Sequence, residues 1–178
     1  MTWIIKGAAG ALLCALAAAP AAADDRHICH RDSGDVAIEA CNRVINSGRY
    51  SGDDLVDAYT NRGQEYYVKE DYERAISDAT QAIRINAKTA VIAYTNRGNA
   101  WSVKGNHDKA IADYTQALRL DPKFTAAYTG RGLEHETKGD TKRALADYKA
   151  ALKVPPKYQD GQWAHDKARE RLDALEKR

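Results

Sequence analysis

One phrase recurs along this chain at a nearly fixed interval, and it constrains the fold more than any other feature. Tyr59-Thr60-Asn61-Arg62-Gly63 returns as Tyr94-Thr95-Asn96-Arg97-Gly98 and again as Tyr128-Thr129-Gly130-Arg131-Gly132. From Gly63 to Gly98 is 35 residues, and from Gly98 to Gly132 is 34. A closed single-core domain has no reason to repeat itself at that period. Stacked supersecondary units do, because each unit covers its apolar face with its neighbour.

Within each period two helical stretches alternate with turn residues. The spacing predicts helices over Asp54–Lys69 and Tyr72–Ile85, over 90–104 and 107–120, and a third pair flanking the turn Gly139-Asp140. Asp121-Pro122 and Pro155-Pro156 stop the second helices, since proline cannot continue a helix and pushes its predecessor toward extended backbone. Ahead of the repeats, Val36, Ala37, Ala40, Cys41, Val44 and Ile45 predict one amphipathic helix over 35–47, closed by Asn46-Ser47-Gly48. The preceding stretch, Asp24–Gly34, is polar and reads as surface or poorly ordered chain. Behind the repeats, Trp163, Ala164, Ala168, Leu172 and Leu175 share one stripe of a final helix within Asp160–Lys177.

Residues 56–158 resemble the tetratricopeptide repeat family. Numbering each repeat from its start, Tyr59, Tyr94 and Tyr128 supply the large residue at position 4, and Gly63, Gly98 and Gly132 the glycine at position 8. Ala75, Ala110 and Ala144 stand at position 20, and Ala82, Ala117 and Ala151 at position 27. Tyr66 and Trp101 fill position 11, Tyr114 and Tyr148 position 24, and Pro122 and Pro156 position 32; His135, Ala79 and Ala87 depart from the pattern. The usual leucine at position 7 is replaced by Arg62, Arg97 and Arg131. Asp78, Asp113 and Asp147 recur in step with these arginines and are their expected partners. The resemblance implies an all-α, right-handed solenoid of three helical hairpins, at 56–89, 91–124 and 125–158, with a capping segment on each side (24–55 and 159–178).

It also implies a binding face. In this family the first helix of each hairpin lines a concave surface through positions 2, 5, 6, 9 and 12. Here these are Asp57, Thr60, Asn61, Gln64 and Tyr67; Ile92, Thr95, Asn96, Asn99 and Ser102; and Ala126, Thr129, Gly130, Leu133 and Glu136. Amides and hydroxyls dominate, which suits the backbone of an extended peptide or partner protein. One variant of the family grips C-terminal carboxylates with basic residues and two asparagines. Only Asn96 matches that set, and Thr60, Gln64, Ala126 and Gly130 occupy the other places.

Residues 1–23 carry Lys6, an apolar run from Gly7 to Ala18, and Ala21-Ala22-Ala23 before Asp24, the pattern of a cleaved export signal. The expected location is therefore periplasmic or secreted, with no membrane insertion after cleavage. Lys6 is the one charge in that segment, and the whole chain has 27 Lys and Arg against 25 Asp and Glu. Near-neutral, interspersed charge of this kind argues against nucleic acid as a partner.

Removal of residues 1–23 takes Cys14 and leaves Cys29 and Cys41, a pair that favours a disulfide in an exported chain. Two free thiols, or a metal- or haem-handling cluster of His27, Cys29, His30 and Cys41, are the alternatives. Exported proteins with this repeat and an Ala-Cys lead-in helix look similar over 35–55, and that resemblance also implies the disulfide. No cofactor is expected. Neither a Ser-His-Asp order nor a phosphate-binding loop stands out, so binding rather than catalysis is expected. His107, His165, Asp113 and Glu134 read as exposed. Self-association through the repeat edges is a further possibility.

Overall fold

The computed structural model describes residues 21–156 and 161–177, with side chains from Asp25 onward. The expected leader lies outside the described residues apart from Ala21–Ala23, which open the first helix. Among the described residues there are nine helices and no strand: α1 (Ala21–Arg31), α2 (Gly34–Asn46), α3 (Asp53–Val68), α4 (Tyr72–Ile85), α5 (Val91–Val103), α6 (His107–Leu120), α7 (Thr125–Thr137), α8 (Thr141–Lys153) and α9 (Gly161–Glu176). Consecutive helices pack on each other throughout, and the first helices α3, α5 and α7 also touch in series. None of the described helices is long and apolar enough to cross a membrane.

Each hairpin is built by the same local chemistry. Its turn needs one residue in the left-handed region: Gly105 (φ 75°) and Gly139 (φ 77°) supply it without a Cβ penalty, but in the first hairpin Glu70 (φ 62°) must do so. Asp71 and Asp140 then cap the second helices, their carboxylates accepting the backbone N–H of Arg74 and Arg143 at 3.0 Å. Glycine lets the two helices of a hairpin close on each other. A Cβ on Gly132 would stand 2.6 Å from the Tyr148 ring, and one on Gly98 would stand 2.9 Å from Tyr114. In the first hairpin Ala79 replaces the tyrosine, and a Cβ on Gly63 meets nothing closer than Asp78 Cβ at 3.2 Å. Small residues and aromatic rings thus fill the interior as complementary pairs.

The recurring arginines prove to be staples. Arg62, Arg97 and Arg131 each make a paired contact with Asp78, Asp113 and Asp147, at 2.7–2.9 Å, across their own hairpin. The third donor of each guanidinium reaches back to the preceding hairpin, to Asn42, Thr80 (3.1 Å) and Thr115 (3.2 Å) respectively. Arginine at position 7 therefore ties neighbouring units together, which leucine could do only by contact. All three aspartates are buried, so the exposure expected of Asp113 is corrected: its charge is tolerated inside because Arg97 satisfies both oxygens. His135, at the aromatic position 11, is also buried, and that burial holds its imidazole below the ordinary histidine range.

The N-terminal end differs from the sequence reading. Asp24–Gly34 is not loose chain: α1 covers most of it and forms a fourth hairpin with α2. Its polar composition hides one inward stripe of Ile28 and buried Cys29, packed on Ala40, Cys41 and Val44. A disulfide joins Cys29 to Cys41, and Asn42 of α2 takes the same role toward Arg62 that Thr80 takes toward Arg97. At the other end α9 lies against α7 and α8. Ala164, Ala168 and Leu175 are buried as the stripe predicts, but Trp163 is 58% exposed.

Candidate functional site: a concave groove

The first helices of the three hairpins enclose a groove of about 920 Å³. Of the expected lining residues, Thr60, Asn61, Gln64, Tyr67, Ile92, Thr95, Asn96, Asn99, Ser102, Ala126, Gly130 and Leu133 do face it. The three-residue and four-residue offsets put positions 5, 9 and 12 on one helix stripe, with 2 and 6 alongside, which is why one face gathers them.

Three of the expected residues are placed elsewhere. Asp57 faces a separate cavity of about 580 Å³ between α1 and α3, bounded also by Arg26, His27, His30 and Asp54. Thr129 is fully buried beneath α9, where its hydroxyl donates to the Ala164 carbonyl at 2.9 Å. Glu136 accepts from the Tyr148 hydroxyl at 2.8 Å and pairs with Arg171 of α9. The last helix thus closes the groove over the third hairpin and converts two would-be binding positions into packing positions. Thr95 borders the groove but is 3% exposed, with its hydroxyl bonded to the Val91 carbonyl one turn back at 3.2 Å.

The amides are the open part of the surface. Asn96 makes no side-chain hydrogen bond to the described residues, and Gln64 makes none either. Asn61 lies 3.3 Å from His30 Nδ1, linking the groove to α1. Asn99 is oriented: the Tyr114 hydroxyl donates to its Oδ1 at 2.7 Å, which leaves its NH₂ as a donor toward the groove. Burial, with Glu134 nearby, raises the Tyr114 phenol far above its ordinary range, so it stays a donor.

Tyr114 is a groove residue that repeat position alone assigned to the scaffold. Its ring fills the space beside Gly98 and also beside Gly130, where a Cβ would come within 2.7 Å of it. The first two repeats carry Asn61 and Asn96 at the place of Gly130. The third cannot hold a long side chain there while Tyr114 keeps its position, which gives a steric reason for the missing basic residue of the carboxylate-gripping variant. Glu134 and Trp163 were also missed as lining residues. Glu134 is 4% exposed rather than open to solvent, accepting from the Ser102 hydroxyl and lying 2.7 Å from His107 Nδ1. His107 is accordingly tied into the junction of the second and third hairpins. His165 too is half-buried, against the Val154 carbonyl.

No group of three or more His, Cys, Asp or Glu among the described residues could hold a metal ion. The cluster His27, Cys29, His30 and Cys41 cannot act as a thiolate site while its two sulfurs are bonded to each other.

Models of the tetratricopeptide repeat match residues 91–124 and residues 56–89 and 125–158, more than half of the chain. No curated protein sequence matches it. Among solved structures, the crystal structure of MamA aligns with 30% identity and a TM-score of 0.59, over 66% of this chain and 66% of that one. This chain therefore spans about two thirds of the length of MamA. The first TPR of Spaghetti (RPAP3), bound to the HSP90 peptide SRMEEVD, aligns at 21% identity with a TM-score of 0.62, over 73% of this chain and 97% of that one. The second TPR domain of human RPAP3, in complex with the HSP70 peptide SGPTIEEVD, aligns at 24% identity with a TM-score of 0.60, over 70% and 97%. At those two identities the likeness is one of fold. With three repeats matched in register, the chain belongs to the tetratricopeptide repeat family.

Proposed function

We propose that this chain is a non-enzymatic interaction module that holds an extended segment of a partner protein in its concave groove. The observation that carries this reading is the row of open amides, Asn61, Gln64, Asn96 and Asn99, along adjoining first helices. Amide donors and acceptors spaced along a groove pair with the carbonyls and N–H groups of an extended backbone, giving affinity with modest demand on side-chain sequence. Ile92, Leu133 and Trp163 add apolar contact on the same surface. Peptide complexes of relatives such as the two RPAP3 domains support the mode of binding. Their peptides end in Glu-Glu-Val-Asp; here no lysine or arginine among the described residues lines the groove and Gly130 is blocked by Tyr114, so a carboxylate grip is not proposed. An exported, oxidising location is part of the proposal, supported by the leader-like residues 1–23 and by the Cys29–Cys41 disulfide.

Selection of a random dodecapeptide display library on the full-length chain tests the reading. Peptides should be recovered, and their affinity should fall about tenfold for the double variant Asn61→Ala/Asn96→Ala, two lost hydrogen bonds each contributing about 0.5–1.5 kcal/mol. Unchanged affinity in that variant rejects the groove.

A further inference from the structure

We infer that the partner segment carries a lysine or arginine, and that Glu134 and Trp163 form the subsite that receives it. This rests on the groove reading above and adds the chemistry of one partner side chain. Glu134 is the one charged residue that lines the groove among the described residues. Its carboxylate is 4% exposed, yet neither Ser102 nor His107, its two partners, is a permanent cation. Those two contacts occupy one acceptor direction on each oxygen, and a carboxylate has about four. A buried carboxylate without a fixed counter-charge is held at a cost in free energy that an incoming ammonium or guanidinium relieves.

Trp163 supplies the second half. It is 58% exposed, lines the same groove from α9, and has no ring or cation partner among the described residues. Trp101 shows the same chemistry satisfied internally, with Lys109 Nζ 4.1 Å from its ring centroid. A basic side chain lying along the indole with its head toward Glu134 gains a cation–π contact and a charge-assisted hydrogen bond together. The groove's charge and its open aromatic face thus complement a basic residue, and oppose an acidic one.

The test uses the peptides recovered from the dodecapeptide selection on the full-length chain at low salt. They should share Lys or Arg at one position, and replacing it with norleucine should weaken binding about tenfold, as expected for loss of a charge-assisted bond. Glu134→Gln should erase the difference between the lysine and norleucine peptides, and Trp163→Ala should weaken the lysine peptide severalfold. If Glu134→Gln does not fold, the norleucine comparison on the unaltered chain decides alone. Peptides without a shared basic residue, or a norleucine loss that persists in Glu134→Gln, overturn this inference and leave the groove standing. Peptides indifferent to Asn61→Ala/Asn96→Ala, or none recovered, overturn the groove reading and this one with it.

Discussion

The interior of the hairpins and their concave face are built from the same first helices, yet they obey opposite rules. Inside, the chemistry is repeated: Arg62, Arg97 and Arg131 meet Asp78, Asp113 and Asp147 with nearly the same geometry three times. On the concave face the series is broken: Asn61 and Asn96 give way to Gly130, and Gln64 is followed by Asn99 and then Leu133. A side chain that returns with the period is there to hold units together, because every unit needs holding. One that varies is free to answer something outside the chain. Thr95 and Thr129 confirm the distinction from the other direction. They repeat at a position expected to face the groove, and both hydroxyls are spent on backbone carbonyls.

The sharpest way to break the interior rule is Arg97→Leu, which restores the usual family residue but leaves Asp113 buried without its cation. We expect a loss of about 3 kcal/mol, from the cost of stranding one member of a buried pair. In thermal unfolding that corresponds to a fall of about 6–12 °C for a chain of this size. Unchanged stability would mean that the staple is incidental.

A second comparison sets repeat against repeat. Gly132→Ala forces a methyl against the buried Tyr148 ring and should cost about 1–3 kcal/mol, as overpacking does. Gly63→Ala faces Ala79 and Asp78 instead of a ring. There the gain in helix propensity, about 1 kcal/mol, offsets the tighter contact, so its stability should stay near that of the parent. Equal losses at the two sites, measured by urea unfolding, would show that the aromatic partner does not set the spacing.

A smaller effect is expected at Glu70, which holds the left-handed turn position that Gly105 and Gly139 hold in the other hairpins. Glu70→Gly should raise stability by up to about 1 kcal/mol, the relief of left-handed strain less the entropy of glycine. A loss of stability on that change would assign Glu70 a contact more important than its backbone.

Much of the fold was legible because its determinants are local and periodic. The constant 16-residue separation between each arginine and its aspartate places the pairs without any coordinates. What was not legible depends on how a non-repeating segment docks. Nothing in Thr129 or Glu136 announces that α9 will cover them, and nothing in Asp24–Gly34 beyond Ile28 and Cys29 marks a buried helical stripe. Trp163 fits an apolar stripe on its own helix, and only the seating of α9 on α7 and α8 turns it toward the groove. Glu134 looked like a solvated carboxylate because its partners, Ser102 and His107, come from the preceding hairpin. Tyr114 could have been found: glycine at both 98 and 130 signals a large ring beside two first helices.

The proposed recognition surface is the set of amides on the concave face. Side-chain amide and indole resonances in a ¹H–¹⁵N NMR titration with a selected dodecapeptide test it most directly. Shifts are expected at the NH₂ groups of Asn61, Gln64, Asn96 and Asn99 and at the Trp163 indole, with the outer faces of α4, α6 and α8 silent. Shifts confined to those outer faces, with the four amides unmoved, would contradict it.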